Sequence, residues 1–442
     1  MRIQLSDHFT YTKLLRFTLP SIVMMIFTSV YGVVDGFFVS NYVGKTPFAA
    51  VNFIFPLLMV LGAIGFMFGT GGSALIAKTI GEGDLAKAKR LFSLFVYISA
   101  VIGTVIAIVA FIFIRPIAVW LGATGTLLND CVLYGRILLL ALPAQMLQFE
   151  FQSFFVVAEK PQLGLYVTLA AGVTNMVLDA LLVAVFPFGL PGAAAATAIS
   201  QVVGGVVPIV YFARRNDSLL QLTKTQYDGA AMLKAAGNGS SEFLSNVAMS
   251  VVSMLYNAQL MSYAGENGVA AYGTMMYVSF AFVAIFIGYS VGTAPVIGYH
   301  YGAGNTDELK SILKKSLVLV SIASVVMLIA SEALAKPLSL LFVGYDQELL
   351  DMTLRGFIIF SFSFIFSGIP IFGSSFFTAL NNGLVSALIS FLRTVVFQVA
   401  AVLLLPLVWG LDGIWFSIVV AEVAAAATAV ICWIANKRKY RY

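Results

Sequence analysis

The sequence predicts an all-α membrane protein of twelve transmembrane helices in two pseudo-symmetric six-helix lobes, and three observations carry the prediction. The chain has 442 residues, of which 60% are hydrophobic and only 10% charged, with a mean hydropathy of +0.97. An average soluble domain carries about 25% charged residues. No soluble core absorbs this much apolar surface, so lipid must solvate most of the chain. Apolar runs of roughly 17–25 residues, the length that spans a bilayer, recur from end to end. Finally, the chain is written twice. Residues 81–90, GEGDLAKAKR, return 221 residues later as residues 302–311, GAGNTDELKS, and the same spacing pairs Gly71 with Gly292, Pro116 with Pro337, Gly189 with Gly410 and Gly192 with Gly413.

The runs place spans at 14–40, 48–77, 91–114, 131–157, 164–186, 190–212, 237–263, 270–299, 313–334, 353–379, 385–407 and 412–435. Several exceed what a bilayer needs, so tilted or kinked helices are expected. Six spans per half is an even number, so both halves enter from one side and the repeat is parallel, about an axis along the membrane normal. The lobes are residues 1–213 and 237–442, joined by a basic linker over 214–236.

Orientation follows from Lys and Arg. One side collects Arg2, Lys13 and Arg16 at the N-terminus, Lys78, Lys87, Lys89 and Arg90 after span 2, and Arg214, Arg215, Lys224 and Lys234 after span 6. It also holds Lys160, Lys310, Lys314 and Lys315, and Lys437, Arg438, Lys439 and Arg441 at the C-terminus. The other side holds Lys45, Arg115, Lys336 and Arg355. Cytoplasmic loops carry the positive excess, so both termini are expected in the cytoplasm and the chain in the plasma (inner) membrane. The N-terminus lacks a cleavage site after a short apolar core and does not read as a removable signal peptide. The repeated Gly-rich loops after spans 2 and 8 are turns. Gly81-Glu-Gly83 is not read as a phosphate cradle, because no strand precedes it and an acid sits inside it. Cys131 and Cys432 lie in separate halves and read as small core residues.

A charged side chain at membrane depth costs on the order of 3 kcal/mol on insertion scales, which makes each one a functional candidate. Asp35 in span 1, Asp179 in span 5 and Thr197 in span 6 fall at similar depth in the outer half. Asn175 precedes Asp179 by four residues and so shares its helical face. Two carboxylates, an amide and a hydroxyl at one level can share a proton. They can equally hold Na⁺, with Asp35 and Asp179 as ligands. In the second half, Glu242 matches Ser21 by the repeat and Glu422 matches Gln201, and Arg393 is placed to pair with Glu422. Arg136 and Glu150, both on span 4, have no evident partner, and His300 reads as an interfacial side chain. Phe and Met are abundant, at 37 and 15 residues. Span 2 carries Phe53, Phe55, Met59, Phe66, Met67 and Phe68, and span 8 carries Met275, Met276, Tyr277, Phe280, Phe282 and Phe286. These suit a soft cleft for lipophilic or cationic ligands.

Taken together, Leu19-Pro20 and Asp35 in span 1, Gly44 after it, Asn175-Met-Val-Leu-Asp179, Gly189-Leu-Pro-Gly192 and the repeated Gly-x-Gly-[Asp/Asn] loops resemble the multidrug and toxic compound extrusion (MATE) family. The likeness covers essentially the whole chain and is greatest to the bacterial and archaeal branch that includes the DNA-damage-inducible transporters. The resemblance implies a V-shaped fold and antiport of organic cations and amphipathic compounds against H⁺ or Na⁺, by alternating access. It implies that Asp35, Asn175, Asp179 and Thr197 form the cation-coupling site and that Pro20 is where span 1 bends. It also implies that Glu242 matches the acid of span 7 used in sodium-coupled relatives. Here the sequence departs, because residues 353–379 contain no Asp or Glu to complete a second-lobe site. The chain is expected to work as a monomer on small molecules, with no prosthetic cofactor and no nucleic acid. A flippase for lipid-linked saccharides is the alternative. Related flippases line the cleft with several basic residues, whereas only Arg136 and Arg393 lie deep within spans here. An enzyme is not expected, since the sequence offers two His, no metal-ligand cluster and no nucleophile with an evident base.

Overall fold

The computed structural model describes residues 3–344 and 346–442, without the side chains of Val33, Ser40, Lys45, Tyr277, Leu341 and Phe342. Arg2 of the charge count lies outside the described residues, and Lys45 of that count and Tyr277 of the aromatic set are described only in their backbone. Everything regular that is described is helical. The first six helices are α1 (Tyr11–Val43), α2 (Thr46–Gly81), α3 (Leu85–Trp120), α4 (Gly125–Val157), α5 (Pro161–Val185) and α6 (Gly189–Ala213). A continuous run, Gly229–Gly302, follows, 74 residues long. At about 1.5 Å per residue it would reach about 110 Å, far beyond the ~30 Å hydrocarbon core. It breaks at Gly265, where φ is 62° and ψ −152°. The break defines α7 (229–264) and α8 (266–302). The chain then continues as α9 (Thr306–Val343). α10 is a broken span, Gln347–Ser361 and Ser363–Ala379, bent by 47°. α11 (Gly383–Leu404) and the run Pro406–Tyr440 follow. The run breaks at Gly410, where φ is 58° and ψ −134°, so α12 is 411–440 and completes twelve spans.

The helices begin earlier than the apolar runs because polar caps start them. Asp84 accepts from the Lys87 amide, Asn305 from Glu308, Asp228 from Ala231 and Asn382 from Val385. A side-chain oxygen at this position satisfies an amide the helix cannot. The repeat is visible in the backbone as well as the sequence. Gly44 and Gly265, Gly83 and Gly304, and Gly189 and Gly410 are all in positive-φ conformation, and each pair is 221 residues apart. These are the turns between equivalent helices, where a side chain would be strained.

The two lobes meet about that same symmetry. Near the end that carries both termini (the basic end), a Cβ on Gly81 would come within 2.0 Å of the Tyr299 carbonyl, and one on Gly302 within 2.0 Å of the Lys78 carbonyl. These are equivalent contacts, because Lys78 and Gly81 map onto Tyr299 and Gly302. The α2–α7 crossing is as close, with Gly71 against Ala235 and Gly239 against Met67, each 1.9 Å from a carbonyl oxygen. Its counterpart is the α8–α1 crossing, where Gly292 meets Thr18 and Gly288 meets Ile22. One hydrophobic core runs through both lobes, joining Phe68, Phe95 and Phe154 to Ile297, Phe376 and Trp433. The far half of the first lobe has a core of its own, around Ile54, Ile114, Leu138 and Leu190. The lobes are therefore zipped at the basic end and separate toward the other, which gives the V.

Residues 3–10 strap the basic end. Leu5 and Phe9 are fully buried. The Leu5 amide donates to Glu159 of the first lobe at 2.8 Å. The Phe9 amide donates to Glu308 of the second at 2.9 Å, and His8 pairs with Glu308 at 2.6 Å. Lys315 donates to the Phe9 carbonyl at 2.5 Å. His300 is only 2% exposed and packs edge-on against Phe9. It is thus buried under the strap rather than interfacial. Periodicity gave no sign that a short terminal segment would cover it.

Candidate functional site

Within the first lobe, α1, α5 and α6 bring together the four residues that the sequence singles out. Asn175 donates to Thr197 at 3.4 Å, and Thr197 donates to Asp35 at 3.3 Å. The carboxyls of Asp35 and Asp179 lie within hydrogen-bonding reach of each other. Asp179 is fully buried and Asn175 is 1% exposed. Neither oxygen of Asp179 receives an N–H or O–H from a described group. No described Lys or Arg makes an ion pair with Asp35 or Asp179.

Helix irregularity frames the site. α1 widens to a π-helical stretch at Val39–Val43, and α5 does so at Ala180–Val185, directly after Asp179. Such stretches leave backbone carbonyls displaced from their usual partners and recur at functional sites. Pro20, buried on α1, lies about four turns before Asp35 at ~3.6 residues per turn. It removes one backbone hydrogen bond and marks a place where α1 can bend.

Sequence reasoning missed one member. Tyr134 on α4 is 1% exposed, and its side chain lies near Thr197. A lone Tyr in a long apolar run gives no signal for this. Its neighbour Arg136 is exposed, with its guanidinium 5.2 Å from the Phe111 ring centroid. Glu150 is fully buried, faces Ser99 of α3, and belongs to neither site.

Two touching carboxyls without a cation cannot both stay ionised at low dielectric. The arrangement has the chemistry that suits a shared proton or a small cation. The donor set suits a hard monovalent ion, with carboxylate, amide and hydroxyl oxygens and no sulfur or imidazole. Among the described residues there is no group of three His, Cys, Asp or Glu able to hold a transition metal.

In the second lobe, Arg393 and Glu422 form the pair expected from sequence. Arg393 Nε lies 3.0 Å from both Glu422 oxygens and Nη2 lies 2.8 Å from one. Arg393 sits in a third π-helical stretch, Leu392–Phe397. Glu242 shares with Arg393 the wall of a cavity of about 230 Å³ between the lobes. A second cavity, of about 300 Å³, continues it, with Met25, Met249, Ile287 and Arg393 common to both. Of the Phe and Met singled out on spans 2 and 8, Phe66, Met276 and Phe280 line this cleft. Phe68, Met275 and Phe286 are core residues instead. Periodicity within a helix hydrophobic all round cannot make that division.

The MatE family model matches residues 20–181 and again residues 243–404, once in each lobe. The chain is 27% identical over 431 residues to the multidrug export protein MepA of Staphylococcus haemolyticus, covering 95% of this chain and 92% of that one. Its fold superposes with a TM-score of 0.93 on the outward-facing conformation of a multidrug resistance MATE family transporter of the MOP superfamily, at 22% identity, over 98% of this chain and 97% of the other. It superposes with a TM-score of 0.89 on a mutant of a Vibrio cholerae MATE transporter, at 24% identity and over 98% of each chain.

Proposed function

The chain belongs to the MATE family, whose members are membrane transporters and not enzymes, and from that premise we propose that it is a secondary active multidrug exporter working by cation-coupled antiport. The observation that carries this reading is the uncompensated contact of Asp35 with Asp179, buried in one lobe of a molecule whose two lobes part on the side away from the basic end. The basic end faces the cytoplasm of a cell whose plasma membrane the protein spans, since positive loops are retained there. The cleft then opens outward. A coupling cation, H⁺ or Na⁺, enters from outside and binds among Asp35, Asn175, Asp179 and Thr197. If the ion is Na⁺, Asp35 and Asp179 are its charged ligands.

Loading neutralises the pair and changes the balance between a straight and a bent α1 at Pro20, which alters the first-lobe wall of the cleft. A ligand shifts a conformational equilibrium only through a difference in affinity between the states. The drug, held against Met25, Phe66, Met249 and Phe280, must therefore bind less well once the pair is loaded. Organic cations and amphipathic compounds fit this wall, through soft Met contacts and aromatic faces. The lobes, 1–213 and 237–442, then rock about the linker at 214–236 and release the cation inside. Glu242 is placed as a second, drug-facing acid, and no prosthetic group is needed. One monomer contains the whole cycle.

Sealed proteoliposomes loaded with a fluorescent cationic dye test this under an imposed Na⁺ or pH gradient. Wild type should move dye under one of the two gradients, and Asp35→Asn should not. A folded Asp35→Asn protein that moves dye at the wild-type rate would refute the coupling role.

A further inference from the structure

The internal repeat sets two surfaces at the basic end in equivalent positions, and they are finished differently. In the second lobe, the N-terminal strap crosses the start of α9, and Glu308 supplies the anion that holds it by accepting the Phe9 amide and pairing with His8. In the first lobe, the interlobe connector crosses the start of α3 in the same manner. The Thr223 amide donates to Ser93 at 2.9 Å, and the Thr225 hydroxyl donates to the Arg90 carbonyl at 2.9 Å. The residue 221 positions before Glu308 is Lys87. Where one surface has a built-in carboxylate, the other has a cation.

The connector also leaves a hollow there, of about 850 Å³, walled by Lys87, Arg90, Lys224 and Tyr227 with Leu91 and Leu94 at its base. None of the three cations makes an ion pair with a described residue. The one carboxylate on the wall, Asp228, is engaged in capping α7. A positive excess at this end directs insertion, but it does not require three charges to converge on one hollow with an apolar base.

From this asymmetry we infer that the hollow is a binding site for a phosphate anion, which takes the place that Glu308 fills in the other lobe. The site lies where α3 passes from charged to apolar sequence, at the level of lipid headgroups. The cations suit the phosphate of an anionic phospholipid, and Leu91 and Leu94, 5% and 4% exposed, close the floor beneath it. A free phosphate offers the same charge without the apolar part.

The test uses the purified full-length protein in detergent, titrated with dioctanoyl phosphatidylglycerol, dioctanoyl phosphatidylcholine or inorganic phosphate and read by native mass spectrometry. Phosphatidylglycerol should bind wild type and phosphatidylcholine should not. Removing each charge should weaken binding about fivefold, so the triple variant Lys87→Gln, Arg90→Gln, Lys224→Gln should lose it on the order of 100-fold. The control Lys437→Gln, Arg438→Gln, Lys439→Gln removes equal charge outside the hollow and should bind as wild type does. Lys87→Glu supplies the anion from the chain, as Glu308 does, and should exclude the ligand while keeping a wild-type elution volume. It serves as the readout if the triple variant does not fold. Inorganic phosphate binding as tightly as phosphatidylglycerol would support the site and identify a soluble source. Equal binding to wild type and either hollow variant, an equal loss in the control, or no binding of either anion would overturn the inference.

Discussion

The two lobes share a backbone plan and differ in how they handle charge at membrane depth. In the first, Asp35 and Asp179 lie within hydrogen-bonding reach of each other, and no described Lys or Arg pairs with either. In the second, the residue equivalent to Asp35 is Tyr256, which stacks on Tyr272 with ring centroids 5.2 Å apart, and Thr197 is replaced by Ile418. The charges of the second lobe lie elsewhere, and its Glu422 is neutralised by a forked Arg393. A buried acid held by a fork of three hydrogen bonds is a fixed part of the wall, whereas a buried acid facing another acid is an unfilled demand. The comparison therefore favours the Asp35–Asp179 pair as the variable charge and the Arg393–Glu422 pair as a constant one, with Glu242 on the cleft wall in no ion pair with a described residue.

The largest expected effect breaks the comparison at the first-lobe pair. Asp179→Asn, like Asp35→Asn, should abolish gradient-driven dye movement in proteoliposomes while the protein elutes as wild type. Full transport by this variant would mean that the pair is not where the ion acts. Next comes the second lobe, where the expected loss is of stability rather than coupling. Glu422→Gln strands a largely buried guanidinium, a change that costs about 3–5 kcal/mol, and should lower the thermal unfolding midpoint. Arg393→Gln in the same chain should restore much of the loss. If Glu422→Gln stops transport at unchanged stability, the second lobe also carries a working charge.

A smaller effect sharpens the geometry. Gly239→Ala puts a methyl group 1.9 Å from the Met67 carbonyl, so α2 and α7 must separate. Spin labels placed on the basic ends of the two lobes should report a longer distance. The smallest effect is at the strap. Glu308→Gln keeps a hydrogen-bond acceptor for the Phe9 amide and removes the charge that His8 meets, a loss of about 1–2 kcal/mol for a charge-assisted bond. Amide exchange of residues 3–10 should quicken several-fold, with dye transport retained.

Much of this was readable in sequence because the bilayer makes some facts expensive. A carboxyl inside a span is conspicuous, and depth can be counted from a loop, so Asp35, Asn175, Asp179 and Thr197 could be put on one level before any fold was known. Parity of spans and placement of Lys and Arg gave the relation of the halves. What stayed hidden depends on rotation about helix axes. Whether Phe66 faces the cleft while Phe68 faces the core is a matter of phase, and a helix apolar on all sides carries no phase signal. Tyr134 was lost for that reason. The strap over His300 rests on contacts between residues some 300 positions apart, which no local pattern records. The early helix starts were in principle legible, since Asp84 and Asn305 are good caps directly before their helices.

The glycine crossing of α2 and α8 has a consequence for how such a chain is put together. When Lys78 meets Gly302, the counterpart of Gly81, and Gly81 meets Tyr299, the counterpart of Lys78, the seam is of the kind found between identical subunits related by a two-fold axis. The bond between the lobes is thus a quaternary contact written within a single polypeptide. The connector has only to keep two self-complementary parts at high effective concentration. A chain severed in the connector, with its halves made together as separate polypeptides, should reassemble along this seam without it.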